Sequence, residues 1–407
     1  MADADMTAST DARQARAEGR FYDAIDAWRT LLLDHPDDHT LALELKQDLK
    51  AALHYPDSDP QFRRAARSLG DAEWLAHYTA LYAYHGTDLD SLDQRGRSLL
   101  QQQPRNPALH ALIGDIARQR RDWAGAEVAF TEALHHAPNH PEYTVKRDAA
   151  RMYQRIAPAL TDHGAAYDIA VINMDRNAER WEELKRQFAG CKPPLRRVAA
   201  VEGSRLPAAA VARLTDEADS PRGTLGCFLS HASAWQAQLD RGAEHCLVVE
   251  DDVIPLLDLP AGLGALPLPD GYDLCFVNDR LEPRREADGF TAHPVAQVML
   301  GFHPDDNAPG GDGYFISRSG AAKLMAWVAE DGFATNLDWR LLAYGMTHAE
   351  IAALPRHSFA WETLDQLQHI PRRADRLQAY VLHPALIRTV GVSSDREDQD
   401  RLAEGRR

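Results

Sequence analysis

The sequence predicts two folds in tandem, an all-α part over residues 1–160 and an α/β domain over residues 161–407. Three observations carry this division. Residues 11–155 are rich in Ala, Leu, Arg and Glu and read as helix almost throughout. From residue 167, short apolar runs alternate with amphipathic segments, as strands and helices do when they layer into one domain. One of those apolar runs stops in three consecutive acids.

In the first part, small or apolar residues stand at Ile113, Gly114, Ala117, Ala126, Phe130 and Ala133, and Pro138 closes the stretch. The spacing recurs at Ala24, Trp28, Leu31 and Pro36, with Ala24 102 positions before Ala126, three times 34. A weaker copy runs through Ala80, Ala83, Leu92, Leu99 and Pro104, the last 34 before Pro138. The pattern resembles the tetratricopeptide repeat, whose paired helices interlock through small residues. Residues 37–70 are degenerate, so three or four helical hairpins are expected. The resemblance implies a concave surface for a peptide or protein partner. A plain helical bundle with prolines at this spacing is the alternative.

Charge and composition exclude several classes. With 45 Lys+Arg against 61 Asp+Glu, the net charge of −16 provides no basic face for nucleic acid. The pairs Arg284-Arg285 and Arg372-Arg373 are possible anion contacts, although such pairs are more often solvated loop charges. The acidic start lacks the apolar run of a signal peptide. No stretch approaches 18 uninterrupted apolar residues, so no membrane-spanning helix is expected. Four cysteines at intervals of 36, 19 and 29 fit no zinc motif and read as reduced thiols of a cytoplasmic protein. Any membrane contact is then peripheral, at the inner membrane.

In the second part, residues 167–174 are an apolar run expected as a buried strand. Residues 178–188 carry Trp181, Leu184 and Phe188 at helical spacing. Residues 195–201 are the next strand, and 225–239 a helix with Phe228, Leu229, Ala232, Trp235 and Leu239 on one face. Strands at 246–249, 272–277 and 313–317 and a helix at 321–327 complete a largely parallel sheet.

The strand at 246–249 runs directly into Glu250, Asp251 and Asp252. In open α/β sheets, ligands bind beyond the carboxyl ends of strands. Adjacent carboxylates repel unless a cation compensates them, and oxygen ligands suit Mg²⁺ or Mn²⁺. A solvated acidic turn is the plain alternative.

Other segments stand around this run in a fixed order. They are Asn173 to Arg180, Arg197 to Gly203, Gly223 to His231, Gly313 to Leu324, Asp338, and a weaker tail at 383–395. In order and spacing the chain resembles glycosyltransferase family 25 over about residues 167–395. The resemblance implies a GT-A-type, Rossmann-like glycosyltransferase domain, a nucleotide-sugar donor such as UDP-galactose, and Mn²⁺ or Mg²⁺. It assigns Asp252 and Glu250 to the metal, with Asp251 assisting. It puts Asn173, Arg176 and Arg180 near the nucleotide, and with them Gly226, Ser230 and His231 of a glycine-cysteine-x-x-serine-histidine pattern. The expected acceptor is a glycan, as in lipopolysaccharide biosynthesis, or a peptide or protein. If the transfer inverts, Asp312 or Asp338 takes the proton from the acceptor hydroxyl.

Residues 279–311, with His303, Asp305 and Asp306, show no strong periodicity and are expected as an acceptor loop or lid. His383 is a further possible metal ligand. Two rival functions stand beside the transferase. One is a non-catalytic repeat-based adaptor with a nucleotide-sugar-binding module, which gives no reason to keep three uncompensated acids. The other is a metal phosphohydrolase, which lacks an evident nucleophile.

Overall fold

A computed structural model describes residues 2–18, 20, 24, 27–28, 31, 44, 89–138, 141–215, 221–283, 290–300, 310–333, 336–353, 370–371 and 373–389. The chain forms two compact units, Met1–Arg151 and Met152–Arg407.

The described helices of the first unit are α1 (Ala2–Ala17), α2 (Leu89–Gln102), α3 (Pro107–Gln119), α4 (Trp123–His136) and α5 (Pro141–Ile156), which runs past the division. Asn106 starts α3 by accepting from Ala108 N, and Asp122 starts α4 by accepting from Gly125 N. Gly114 is needed where α3 crosses α4, because a Cβ there would lie 2.8 Å from the Phe130 ring. Ala117, Ala126, Phe130 and Ala133 are buried, as are Ala24, Trp28 and Leu31. Pro36, Ala80, Ala83 and the Leu92 side chain lie outside the described residues.

The second unit opens with β1 (Asp168–Asn173), α6 (Ala178–Gln187), β2 (Leu195–Ala199) and α7 (Ala208–Leu214). Then come α8 (Arg222–Arg241), β3 (His245–Glu250), β4 (Val253–Pro255) and β5 (Leu274–Phe276). Short strands β6 (Leu281–Pro283), β7 (Thr291–Pro294) and β8 (Val298–Leu300) follow. The unit closes with β9 (Gly313–Ser317), α9 (Arg318–Asp331), α10 (Leu337–Tyr344), α11 (His348–Ala352), β10 (Ala379–His383) and β11 (Ile387–Thr389).

Seven strands form one sheet in the order β2-β1-β3-β9-β5-β10-β7. Pairings β2–β1, β1–β3 and β5–β10 are parallel, whereas β3–β9, β9–β5 and β10–β7 are antiparallel. The expectation of a largely parallel sheet is therefore corrected to a mixed one. A buried strand is apolar on both faces whichever way it runs, so its sequence does not record its direction. The insertion at 279–311, expected as an acceptor loop or lid, holds β6 to β8, and β7 pairs with β10 at the sheet edge. Strands of three or four residues are too short to show a period. His303, Asp305, Asp306, Arg284, Arg285, Arg372 and the tail beyond residue 389 lie outside the described residues.

Because β9 opposes its neighbours, its first residue lies beside the carboxyl ends of β3 and β5, with Gly313 opposite Val249. A Cβ on Gly313 would lie 1.8 Å from Ile387 Cδ1, so the glycine makes room for the Ile387 side chain of β11. β11 in turn pairs with β4, which fixes the turn that carries the acids.

The core joins Phe228 and Trp235 of α8, Tyr314 and Ile316 of β9, Trp327 of α9 and Tyr344 of α10. Buried Asp273 is satisfied within it by Ser319 Oγ, Lys323 Nζ and Gln378 N. All four cysteines are free thiols, with Cys246 and Cys275 buried. No helix among the described residues is long and apolar enough to cross a membrane.

Candidate active site

Strand ends deliver the polar groups to one edge. β3 ends in Glu250, and Asp251 and Asp252 form the turn into β4. β1 ends in Asn173, which is buried and donates from Nδ2 to Asp251 Oδ2 at 2.6 Å. Arg180, on the first half of α6, brings Nη1 to 3.5 Å from Asp251 Oδ1. Arg197 of β2 completes the chain, donating from Nε to Asn173 Oδ1 at 2.7 Å. Asn173 and Arg180 are thus joined to the acidic turn, and Asp251 is held by both. Arg176 pairs with Glu202 at 2.9 Å.

Asp252 differs from its neighbours. Its Oδ1 is buried and has no hydrogen-bond partner among the described residues. Burial, then Glu250, Asp251 and Asp312, pushes its carboxyl well above the usual carboxylate range, with Arg180 opposing. A buried orphaned oxygen facing three other carboxylates is what a divalent cation compensates. Arg180 and Arg280 pair with two of these four acids, Asp251 and Asp312.

Asp312 precedes β9 and is 3 % exposed. It accepts from Arg280 Nε at 2.6 Å, from Asn278 Nδ2 and from Thr389 Oγ1. Asp338 lies in the first turn of α10, buried, with Oδ1 accepting from Trp339 N at 3.1 Å. Its neighbour Leu337 reaches the site loop, 3.2 Å from where a Cβ on Gly311 would stand.

The glycine-cysteine-x-x-serine-histidine stretch forms the beginning of α8. Gly226 abuts the loop after β2, where a Cβ would meet Val201 O at 2.6 Å and Gly203 N at 2.7 Å. Ser230 Oγ accepts from Val201 N at 2.8 Å and donates to Gly226 O at 2.6 Å. Both residues therefore dock that loop onto the helix. The next residue, His231, is fully buried, stacked on Tyr314 and 3.3 Å from Glu250 Oε1. Cys227 Sγ lies 3.9 Å from the same oxygen. Cys227, His231 and Glu250 offer ligand atoms within 4.8 Å of one another, the one such group of three among the described residues. His383 is not part of it; it sits at the end of β10 beside His293.

Sequence reasoning missed Arg197, Asn278, Arg280, Thr389 and Tyr314 as members of this neighbourhood. The rule that locates ligands beyond carboxyl ends would have found Asn278 and Arg280, just past β5.

The fold and site define an α/β domain that gathers acids, amides and arginines at the carboxyl edge of its sheet. Residues 167–259 match the model of glycosyltransferase family 25, described as an LPS biosynthesis protein, and this segment belongs to that family. The match contains the predicted site residues other than Asp312, Asp338 and His383. The chain is 32% identical over 112 residues to human procollagen galactosyltransferase 2, covering 25% of this chain and 18% of that protein. It is 30% identical over 113 residues to procollagen galactosyltransferase 1 of Danio rerio, covering 25% and 19%. The mouse procollagen galactosyltransferase 2 is 30% identical over 137 residues, covering 31% and 20%. The chain thus spans about a fifth of the length of the curated relatives it matches.

Proposed function

We propose that the second unit is a GT-A-type, metal-dependent hexosyltransferase that moves galactose from UDP-galactose to an acceptor hydroxyl, with inversion. The observation that carries this is the orphaned, buried Asp252 Oδ1 in an acidic turn inside the family 25 segment. Asp252 and Glu250 would hold Mn²⁺ or Mg²⁺, which supplies charge neutralisation for the departing diphosphate. Asn173 and Arg180 hold Asp251, and so keep the turn in place when the diphosphate charge arrives. Arg180 also suits a diphosphate oxygen, as a guanidinium forms forked charge-assisted bonds. Gly226 and Ser230 fix the loop at 201–203 that walls the nucleotide side.

Either Asp312 or Asp338 would take the acceptor proton. Asp312 receives Arg280, Asn278 and Thr389. The relatives' names support galactose as the sugar and a protein hydroxyl as the acceptor; the family description supports a glycan. The first unit, read as tetratricopeptide-like, would recruit a peptide or protein acceptor, within a cytoplasmic protein.

The test is calorimetric titration of UDP-galactose with and without Mn²⁺, in wild type and in Asp252→Asn. Metal-dependent binding that Asp252→Asn abolishes is expected. The variant should also melt higher without metal, since it removes one of four clustered carboxylates. No binding under any condition, or equal binding in the variant, overturns the reading and favours the adaptor.

A further inference from the structure

The convergence of Cys227, His231 and Glu250 raises the question of whether His231 is itself a metal ligand. The hydrogen-bond chain behind it answers this. Tyr314, on β9 in the middle of the sheet, is fully buried, and so are Trp235 and His231 on α8. Trp235 Nε1 donates to the Tyr314 hydroxyl at 2.8 Å; an indole N–H can only donate. The same hydroxyl lies 2.9 Å from His231 Nδ1, with the two rings stacked at 5.8 Å between centroids. On the other side of the ring, His231 Nε2 faces Glu250 Oε1 at 3.3 Å.

The protons can be counted along this chain. The Tyr314 oxygen accepts from Trp235, and its single proton needs an acceptor. Nδ1 of His231 is the partner in reach, so it must be bare and the imidazole proton must sit on Nε2. Nε2–H then points at Glu250 Oε1, a carboxylate oxygen that only accepts. Every group is satisfied. If Nδ1 carried the proton instead, the Tyr314 oxygen would face two donors, and its own proton would be buried without a partner. A nitrogen that carries hydrogen has no lone pair for a metal.

We propose that His231 is not a metal ligand but a positioning residue, its Nδ1 turned to the Tyr314 hydroxyl by the Trp235–Tyr314 pair and its Nε2–H pinning Glu250 through Oε1. Cys227, 3.9 Å from that oxygen, adds a weak S–H donor. Oε1 is thereby committed to the protein. The tautomer stands on the hydrogen bonds alone; its purpose, holding Glu250 for the metal, rests on the transferase reading. Partners behind a ligand commonly set its geometry as strongly as the ligand sets the metal.

The test is nitrogen NMR of the full chain with ¹⁵N-labelled histidine, assigned by comparison with His231→Gln. An Nε2–H tautomer in the metal-free protein, unchanged on adding diamagnetic Mg²⁺ or Zn²⁺, is expected. An Nδ1–H tautomer, an imidazolium, or a switch of tautomer on adding either ion overturns the proposal. Calorimetry with Mn²⁺ alone gives a second readout. His231→Ala should weaken Mn²⁺ binding by about 10–100-fold, the usual cost of losing such a partner. His231→Gln keeps a donor in place of Nε2–H and should recover most of that loss. A glutamine variant as weak as the alanine one also counts against it. The tautomer is read without sugar or metal, so its failure is separable from failure of the transferase reading, which the UDP-galactose titration reports.

Discussion

Replacing Asp312 by Asn separates two roles that the sequence leaves together. Asp312 and Arg280 have side chains 4 % and 13 % exposed, at 2.6 Å. An asparagine keeps the shape, but its amide must turn one N–H toward a donor, either Arg280 Nε or Asn278 Nδ2. The guanidinium loses its charged partner in a buried setting. Breaking such a pair from one side costs about 3–5 kcal/mol, and the retained acceptor oxygen argues for the lower end, about 3 kcal/mol. In a domain of this size each kcal/mol moves the melting temperature by about 2–4 °C, so a fall of about 6–12 °C is expected. The assay is thermal unfolding followed by circular dichroism, with Thr389→Val alongside as a milder lesion that removes one hydroxyl donor. Turnover should fall only as far as the remaining folded fraction explains. A variant that melts within about 2 °C of wild type but loses turnover would refute this reasoning and make Asp312 the base.

Three further outcomes follow from the packing. Gly226→Ala places a methyl group 2.6 Å from Val201 O, which is backbone and cannot swing away, so a loss of about 1–3 kcal/mol is expected by denaturant unfolding. Wild-type stability in that variant would show that the loop at 201–203 is not held against α8. Gly114→Ala drives a methyl group into the Phe130 ring at 2.8 Å and should destabilise by a similar amount, about 1–3 kcal/mol, with Phe130→Leu recovering part of it. Burial, with His293 nearby, pushes His383 down to about 4 from its usual value near 6.5. As pH falls through 6.5 the unfolded chain takes up a proton that the native state refuses until about pH 4, so stability falls across that window. The loss levels off at about 3 kcal/mol, and His383→Gln should flatten the pH dependence of the melting temperature.

Much of this fold is legible in the sequence. β1, β3 and β9 are uninterrupted apolar runs because both faces of the sheet are covered, and α8 shows a clear apolar face. The acids at the end of β3 stood out because polarity changes there within one residue. Strand direction was not legible, since burial leaves the same apolar signature in β9 as in β3. β6 to β8 escaped because three or four residues carry no period. The contacts of Asn278 and Arg280 with Asp312 join positions 32–34 apart through a strand reversal, which local spacing cannot encode. Gly226 and Ser230 show a different limit. A motif of small and hydroxylated residues looks the same whether it faces a phosphate or a neighbouring backbone, because both ask for close approach and a hydrogen bond.

The reversed course of β9 bears on how such a domain can diversify. Asp312 enters the site from the leading end of a strand clamped on both sides by ladders to β3 and β5. Its position is set by those ladders and by Ile387 against Gly313, not by the length of chain that leads into it. Lengthening a tether between two fixed points is inexpensive, about 0.6 kcal/mol for each doubling. Insertions and deletions ahead of residue 310 could therefore accumulate and reshape what lies beside the site while Asp312 keeps its place. Substrate range and catalytic geometry would then evolve on separate stretches of the same chain.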